Sequence, residues 1–340
     1  MQTCRWKFRP EGSNWGDFGA DDQLGRLNLI TPQVVLAGVA EVREGRSFCL
    51  SLPLDLPGGN RLNPRRHAPR FRATQADGRA WYNLRIDHLM PGHTDIVSDD
   101  AVLLHTQYST QWDSFAHMGQ AFDADGDGTA ESVYYNGFRA GQHILPPLDE
   151  GGPGRGAQRL GIDTMAVKAI QGRGVLLNLL THCGADRTFV GFDTLMAAMQ
   201  AQQVEVAPGD MLCLYTGFAD AILRMAGDPD VEELGRTGAV LDGRDERLQR
   251  WIADCGIAAL VADNYAVEGL PSRVAALPCA AAPLHELCLF KLGIPLGELW
   301  HLGELARWLA SHGRTRFLLT APPLRLPGAV GSPVTPVATV

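Results

Sequence analysis

Gln107-Tyr108-Ser109-Thr110-Gln111-Trp112-Asp113-Ser114-Phe115-Ala116-His117 concentrates unusual polarity in a short run. Side chains alternate along an extended segment, so Gln107, Gln111, Asp113 and His117, at even spacings, share one face. Two amides, a carboxylate and an imidazole are poor core material, because each buried polar group needs a partner. The face therefore suits either a functional site or a satisfied hydrogen-bond network in a loop. Trp112 alternates with these residues and should point away from them. His105, two residues before Gln107, would share their face and reach the site if the strand begins that early.

Outward from this stretch, helices and strands alternate. Ala101 to Gln107 reads as a strand running into the cluster. Thr31-Pro32 is a helix start, a hydroxyl cap followed by proline, and Val35, Val39 and Val42 mark an apolar stripe over 32–44. Ser47 to Leu56 reads as a strand closed by Pro57-Gly58-Gly59. Residues 57–80, rich in Pro, Arg and Gly, read as a long lid or binding loop, and 121–160 as irregular. Val175 to Leu180, Met211 to Tyr215, Ile257 to Ala262 and Arg316 to Thr320 read as strands. Residues 194–203, capped by Asp193, and 245–255 read as helices. So does Gly297 to Ala310, with Leu302, Leu305 and Leu309 on one face. With no repeat and no clean linker, residues 1–340 read as a single mixed α/β domain, long enough to bury a large core without staples.

The net charge of −8 argues against a broad nucleic-acid-binding face, which needs clustered Lys and Arg. The densest basic run, Arg61 to Arg72, is broken by prolines and reads as a solvated loop or as a rim attracting an anionic substrate. The seven cysteines include no CxxC pair and several sit in apolar runs, as expected of reduced thiols in a cytoplasmic protein. Met1 to Glu11 has no apolar stretch of the signal-peptide kind, and Val274 to Leu284 is too short to span a bilayer. The expected partner is a small molecule, not nucleic acid or membrane.

The 107–117 segment resembles the HxGTHxDxPxH pattern of the cyclase family, which includes kynurenine formamidase. Gln107 and Gln111 stand at its two metal-ligand histidines, Asp113 at its ligand aspartate and His117 at its acid/base histidine. Ser109-Thr110 replaces Gly-Thr, and Phe115 replaces proline. Asn14-Trp15-Gly16, the run Leu24 to Pro32, Tyr134-Tyr135-Asn136-Gly137, Pro208-Gly209-Asp210, Ala321-Pro322-Pro323 and Gly328 to Val334 are similar to other blocks of its longer bacterial members. The resemblance spans nearly the whole chain. It implies a barrel-like β-sheet core flanked by helices, assembly as a homodimer or homotetramer, and two late ligands, best matched by His285 and Glu298. On its own, His285 also suits a core histidine bonded to backbone, and Glu298 a carboxylate in the first turn of a helix.

An amide oxygen is a weaker metal donor than imidazole, so two His-to-Gln changes should weaken one half of a two-metal site. Asp113, His285 and Glu298, helped by Gln111 or Gln107, remain able to hold one divalent ion, with Mn²⁺ and Mg²⁺ less disfavoured relative to Zn²⁺ than in an all-histidine site. The implied activity is hydrolysis of an amide, formamide or lactone, with metal-activated water and His117 shuttling a proton to the leaving group. A metal-free lyase, dehydratase or cyclase using His117 and Asp113, or a non-catalytic binding protein of the same fold, are the alternatives.

Further signals stand apart. Asp123, Asp125, Asp127 and Gly128 match the start of a calcium loop, but Tyr134 stands where the closing glutamate belongs, so an acidic turn competes with a structural Ca²⁺ site. Gly151 to Gly156 matches no phosphate-binding fingerprint. Trp15 is an expected wall of the substrate pocket, core packing being the equal alternative. His182 and His301 have no partners at ligand spacing and read as structural. There is no GxSxG elbow, which disfavours covalent serine chemistry.

Overall fold

The computed structural model describes residues 4–148 and 155–340. A nine-stranded mixed sheet organises the chain: β1 (Ser47–Cys49), β2 (Gln111–Asp113), β3 (Gln171–Asn178), β4 (Met211–Tyr215), β5 (Ala259–Ala262), β6 (Leu296–Glu298), β7 (Arg316–Thr320), β8 (Gly331–Pro333) and β9 (Val337–Thr339). Their spatial order is β1-β9-β7-β3-β4-β5-β6-β2-β8. The central strands β3 to β6 run parallel, and antiparallel strands extend the sheet on both sides. The sheet curls into a half-barrel flanked by helices, as expected from the resemblance.

Alternation along the central strands divides the core. Val175, Leu177, Leu212, Leu214 and Leu260 face one apolar cluster, whereas Leu176, Met211, Cys213 and Val261 face the other. Strands buried on both faces read as continuous apolar runs, which is why β4 is Met-Leu-Cys-Leu-Tyr. The helices α1 (Pro32–Val39), α2 (Ile162–Lys168), α3 (Leu179–Cys183), α4 (Phe192–Ala201), α5 (Phe218–Met225), α6 (Val231–Gly235), α7 (Glu246–Asp254), α8 (Pro283–His285) and α9 (Gly303–Ser311) cover this frame. A wide-turned helical segment, Glu286–Leu292, follows α8 directly.

Several boundaries differ from the sequence reading. α1 stops at Val39, not 44. α4 is capped from outside: Asp245 accepts the Phe192 N–H, and Asp193 instead pairs with Arg247. The stripe Leu302, Leu305 and Leu309 belongs to α9, which starts at Gly303, so Gly297 and Glu298 lie in a buried strand. The 57–80 and 121–160 regions contain ribbons, Arg70–Ala73 with Asp100–Leu103 and Gln120–Phe122 with Glu131–Val133. The strand expected to reach Gln107 ends at Leu103. Gly151 to Gly154 lie outside the described residues. All seven cysteines are free, and only Cys213 and Cys288 are fully buried. Among the described residues no helix is long and apolar enough to cross a membrane.

His301 sits in a polar node on the rim. Its Nε2 lies 3.5 Å from Asp220, which also accepts from the Tyr215 hydroxyl at 2.6 Å and from Arg307 at 3.2 Å. His301 foremost, and Tyr215 and Arg307 with it, outweigh burial and hold the Asp220 carboxyl down at about 2, against 3.8 ordinarily. A depressed carboxylate stabilises the fold above its unfolded value, and that contribution is lost as pH falls through about 2. Asp220→Asn is expected to cost about 1–2 kcal/mol at pH 7. The cost should shrink between pH 4 and pH 2, as urea titrations across that range would show.

Candidate metal centre

β2 and β6 pair antiparallel with Glu298 opposite Gln111, Gly297 opposite Trp112 and Leu296 opposite Asp113. Directly opposed residues project from the same face, so Gln111 and Glu298 meet, and Asp113, two residues on, joins them. Gln111 Nε2 donates to Glu298 Oε2 at 2.9 Å. Trp112 points to the other face and stacks edge-on against Trp300, with ring centroids 5.0 Å apart. Gly297 permits this packing, since a Cβ there would come within 2.9 Å of Trp300 Nε1.

His285 enters from above, at the end of α8. Glu268 fixes it: one carboxylate oxygen accepts both the His285 backbone N–H, at 2.9 Å, and Nδ1, at 2.8 Å, and the other accepts the Leu284 N–H at 3.1 Å. With Nδ1 committed, Nε2 faces the cluster, 3.3 Å from Glu298 Oε1. The sequence reading missed Glu268. A carboxylate bonded to Nδ1 in this way fixes an imidazole with its Nε2 free to act as a ligand.

Asp113, His285 and Glu298 each offer a ligand atom within 4.8 Å of the others, and all three residues are buried. Both Asp113 oxygens and Gln111 Oε1 are buried without a hydrogen-bond partner, and Glu298 Oε1 meets only His285 Nε2, at 3.3 Å. Orphaned oxygens of this kind are costly and rare in folded proteins. Burial pushes the Asp113 carboxyl up, and neighbouring Glu298 adds to this against the pull of His117. Burial also opposes charge on Glu298, but His285 outweighs it and holds that carboxyl below the usual range. Burial disfavours charge on His285 too, yet Glu268 and Glu298 lift its pKa to about 10. Two carboxylates, an imidazole and an amide oxygen around one space form a donor set that fits a single hard or borderline divalent cation.

His117 stands at the mouth, 21% exposed, with Nε2 4.0 Å from Asp113 Oδ1. The strand ends at Asp113, so His117 arrives through a turn, its N–H bonded to Ser114 O. Gln107 does not join the donor set. Its Oε1 accepts from the Thr106 hydroxyl at 3.0 Å, which leaves Nε2 to donate to His117 Nδ1 at 2.9 Å. An Nδ1 that accepts places the proton of the neutral ring on Nε2, the side facing Asp113.

The remaining expected residues lie elsewhere. His105 is exposed and bonded to the His67 backbone. Trp15 is buried in the core, edge-on to Phe290 and donating to its carbonyl, so it lines no cleft. Asp123, Asp125 and Asp127 form a separate, partly exposed turn whose carboxylates accept the N–H groups of Gly126, Asp127, Gly128 and Thr129. Their ligand atoms also lie within 4.8 Å of one another.

A half-barrel α/β fold with a buried carboxylate–imidazole cluster at the end of its parallel strands defines the class. The family described as Putative cyclase matches residues 50–269, and the chain belongs to it. A crystal structure described as a novel cyclase is 29% identical, covering 96% of this chain and 97% of that one, with a TM-score of 0.74. Isatin hydrolase A from Ralstonia solanacearum is 15% identical over 91% of this chain and 97% of its own, with a TM-score of 0.55. Isatin hydrolase A from Labrenzia aggregata, bound to benzyl benzoate, is 14% identical over 89% and 96%, with a TM-score of 0.54. These two share the fold. No curated protein sequence matches the chain.

Proposed function

We propose that this protein is a divalent-metal-dependent hydrolase of a small acyl compound, an amide, formamide or lactone. The observation that carries the reading is the triad Asp113, His285 and Glu298, whose buried ligand atoms lie within 4.8 Å of one another, with both Asp113 oxygens and Gln111 Oε1 left without a partner. Asp113, His285 and Glu298 would hold the ion, with Gln111 Oε1 as a weaker donor. The ion would supply Lewis acidity toward water and a carbonyl. Hydrolysis leaves the hydroxyl of water on the acyl carbon and its proton on the departing nitrogen or oxygen. His117 Nε2, the ring's protonated edge at the mouth of the cluster, would hand its own proton to the departing atom as it takes up the one that the water releases. Gln107 holds the ring in this tautomer, and Glu268 holds His285 with Nε2 turned inward.

The test is turnover of a panel of N-formyl arylamines, cyclic amides and lactones with Mn²⁺, Zn²⁺ or Mg²⁺, followed by chelation and re-addition. Hydrolysis that is lost and restored supports the proposal. Turnover that survives chelation transfers the activity to a metal-free lyase or cyclase mechanism, and tight binding without turnover points to a binding protein.

Gln107→Leu separates positioning from ligation. It removes the partner of His117 Nδ1 and leaves the cluster donors in place, so kcat should fall by about 10- to 100-fold with metal content nearly unchanged. Steady-state kinetics and metal analysis on the same sample check this. A proportionate loss of metal would make Gln107 a ligand instead.

A further inference from the structure

The loop that leads from β1 toward the site is fastened before it reaches the cluster. The Tyr108 hydroxyl accepts the Gly58 N–H at 3.0 Å and donates to the Gly59 carbonyl at 2.9 Å, while Asn63 Nδ2 donates to the Tyr265 hydroxyl at 2.9 Å. The fastened loop presents Arg66 inward. Arg66 Nη1 donates to the Gln107 carbonyl at 2.6 Å, and Gln107 in turn bonds His117, so the guanidinium lies one residue away from the proton-donating ring. Arg61, on the same loop, is paired with Asp228 at 3.0 Å. Among the described residues Arg66 has no such partner, and its other guanidinium nitrogens make no hydrogen bond.

Arg66, Asn63, Gln107, Tyr108 and Tyr265 line a narrow cleft with about 10 Å³ of room, enough for about one water or one carboxylate oxygen. The guanidinium carbon lies 6.0 Å from the centre of the Tyr265 ring, which gives the cleft an aromatic wall. The charge is near enough to favour the ionised forms of both Asp113 and Glu298. A half-buried guanidinium with one edge anchored and the other uncommitted is built for bidentate capture of a planar oxyanion.

We infer that Arg66 is a substrate-binding residue and that the substrate carries a carboxylate, held by the free edge of Arg66 while its scissile carbonyl lies at the Asp113–His285–Glu298 cluster. This rests on the proposed hydrolase reading for the position of the scissile bond, but the anion site itself does not. A carboxylate bound there neutralises a charge that the loop otherwise leaves unpaired. A neutral isostere would leave the guanidinium without a partner, which disfavours it by about 10- to 100-fold.

The experiment is calorimetric titration of benzoate and of its uncharged isostere benzamide. It uses the metal-loaded and the chelated protein, as wild type, Arg66→Gln and Arg66→Lys, with metal content measured on each sample and folding checked by circular dichroism. Wild type should bind benzoate about 10- to 100-fold tighter than benzamide in both metal states. The preference should fall to about twofold or less in Arg66→Gln, and Arg66→Lys, which keeps the charge and loses the fork, should lie between. Arg66→Lys decides the matter if Arg66→Gln does not fold. A preference that survives in both variants, one that disappears on chelation while persisting in Arg66→Gln, or no preference in wild type overturns the inference. The two readings fail separately: metal-free protein with an Arg66-dependent preference removes the metal centre alone, and metal-loaded protein without one removes the anion site alone.

Discussion

Asp113→Asn should make the metal-free protein more stable and abolish its activity. Both Asp113 oxygens are buried without a partner, beside a second buried carboxylate, and burial already pushes the Asp113 carboxyl upward. Asparagine keeps the shape and removes the charge, relieving about 1–3 kcal/mol of desolvation and repulsion. For a chain of this size that is a rise of about 2–5 °C in melting temperature. The same change removes an anionic ligand, so added Mn²⁺, which stabilises wild type by about 2.7 kcal/mol at a hundredfold excess over Kd, should barely shift the variant. Turnover should fall at least about 1,000-fold, as loss of an electrostatic anchor in an enclosed site commonly does. Thermal melts with and without Mn²⁺ give both stability readings. A variant less stable than wild type without metal would mean that Asp113 has a structural partner and that the cluster is a polar core.

Glu268→Ala carries the opposite sign. Glu268 is fully buried and accepts the Leu284 N–H, the His285 N–H and His285 Nδ1. Truncation leaves three donors unsatisfied in the interior and frees the ring to rotate, at a cost of about 3–5 kcal/mol. Metal affinity should drop by about 10- to 100-fold, the usual price of losing the carboxylate behind a ligating histidine. Urea unfolding and competition with a metal-sensitive dye read the two effects independently. Glu268→Gln, which keeps one acceptor oxygen, should recover part of the stability. A loss below about 1 kcal/mol would show that the backbone alone places His285.

The legible parts of the fold were those with strong local signals. Met211–Tyr215 and Arg316–Thr320 have the bounds read from sequence, the first because Pro208-Gly209-Asp210 turns straight into an apolar run. Glu298 was misplaced because the stripe from Leu302 onward extends backward by chance into Gly297, and periodicity cannot tell a three-residue strand from a first helical turn. The even spacing of Gln107, Gln111, Asp113 and His117 put the right side chains together for partly the wrong reason: only Gln111–Asp113 is extended, and turns on either side swing Gln107 onto His117. Glu268 had no local signal beyond a lone carboxylate in Ala266-Val267-Glu268-Gly269-Leu270, and its partner lies 17 residues away. Trp15 shows the converse limit, since an aromatic residue suits a pocket wall and a core equally well until its neighbours are known.

Whether the Asp113–His285–Glu298 cluster holds an ion is tested by metal stoichiometry, by mass spectrometry on Mn²⁺-loaded, desalted protein, with Asp113→Ala and Asp125→Asn beside wild type. About one ion per chain is expected in wild type and Asp125→Asn, and almost none in Asp113→Ala. Wild type without metal, or metal retained in Asp113→Ala and lost in Asp125→Asn, would contradict this expectation and leave the Asp113–His285–Glu298 cluster without its ion.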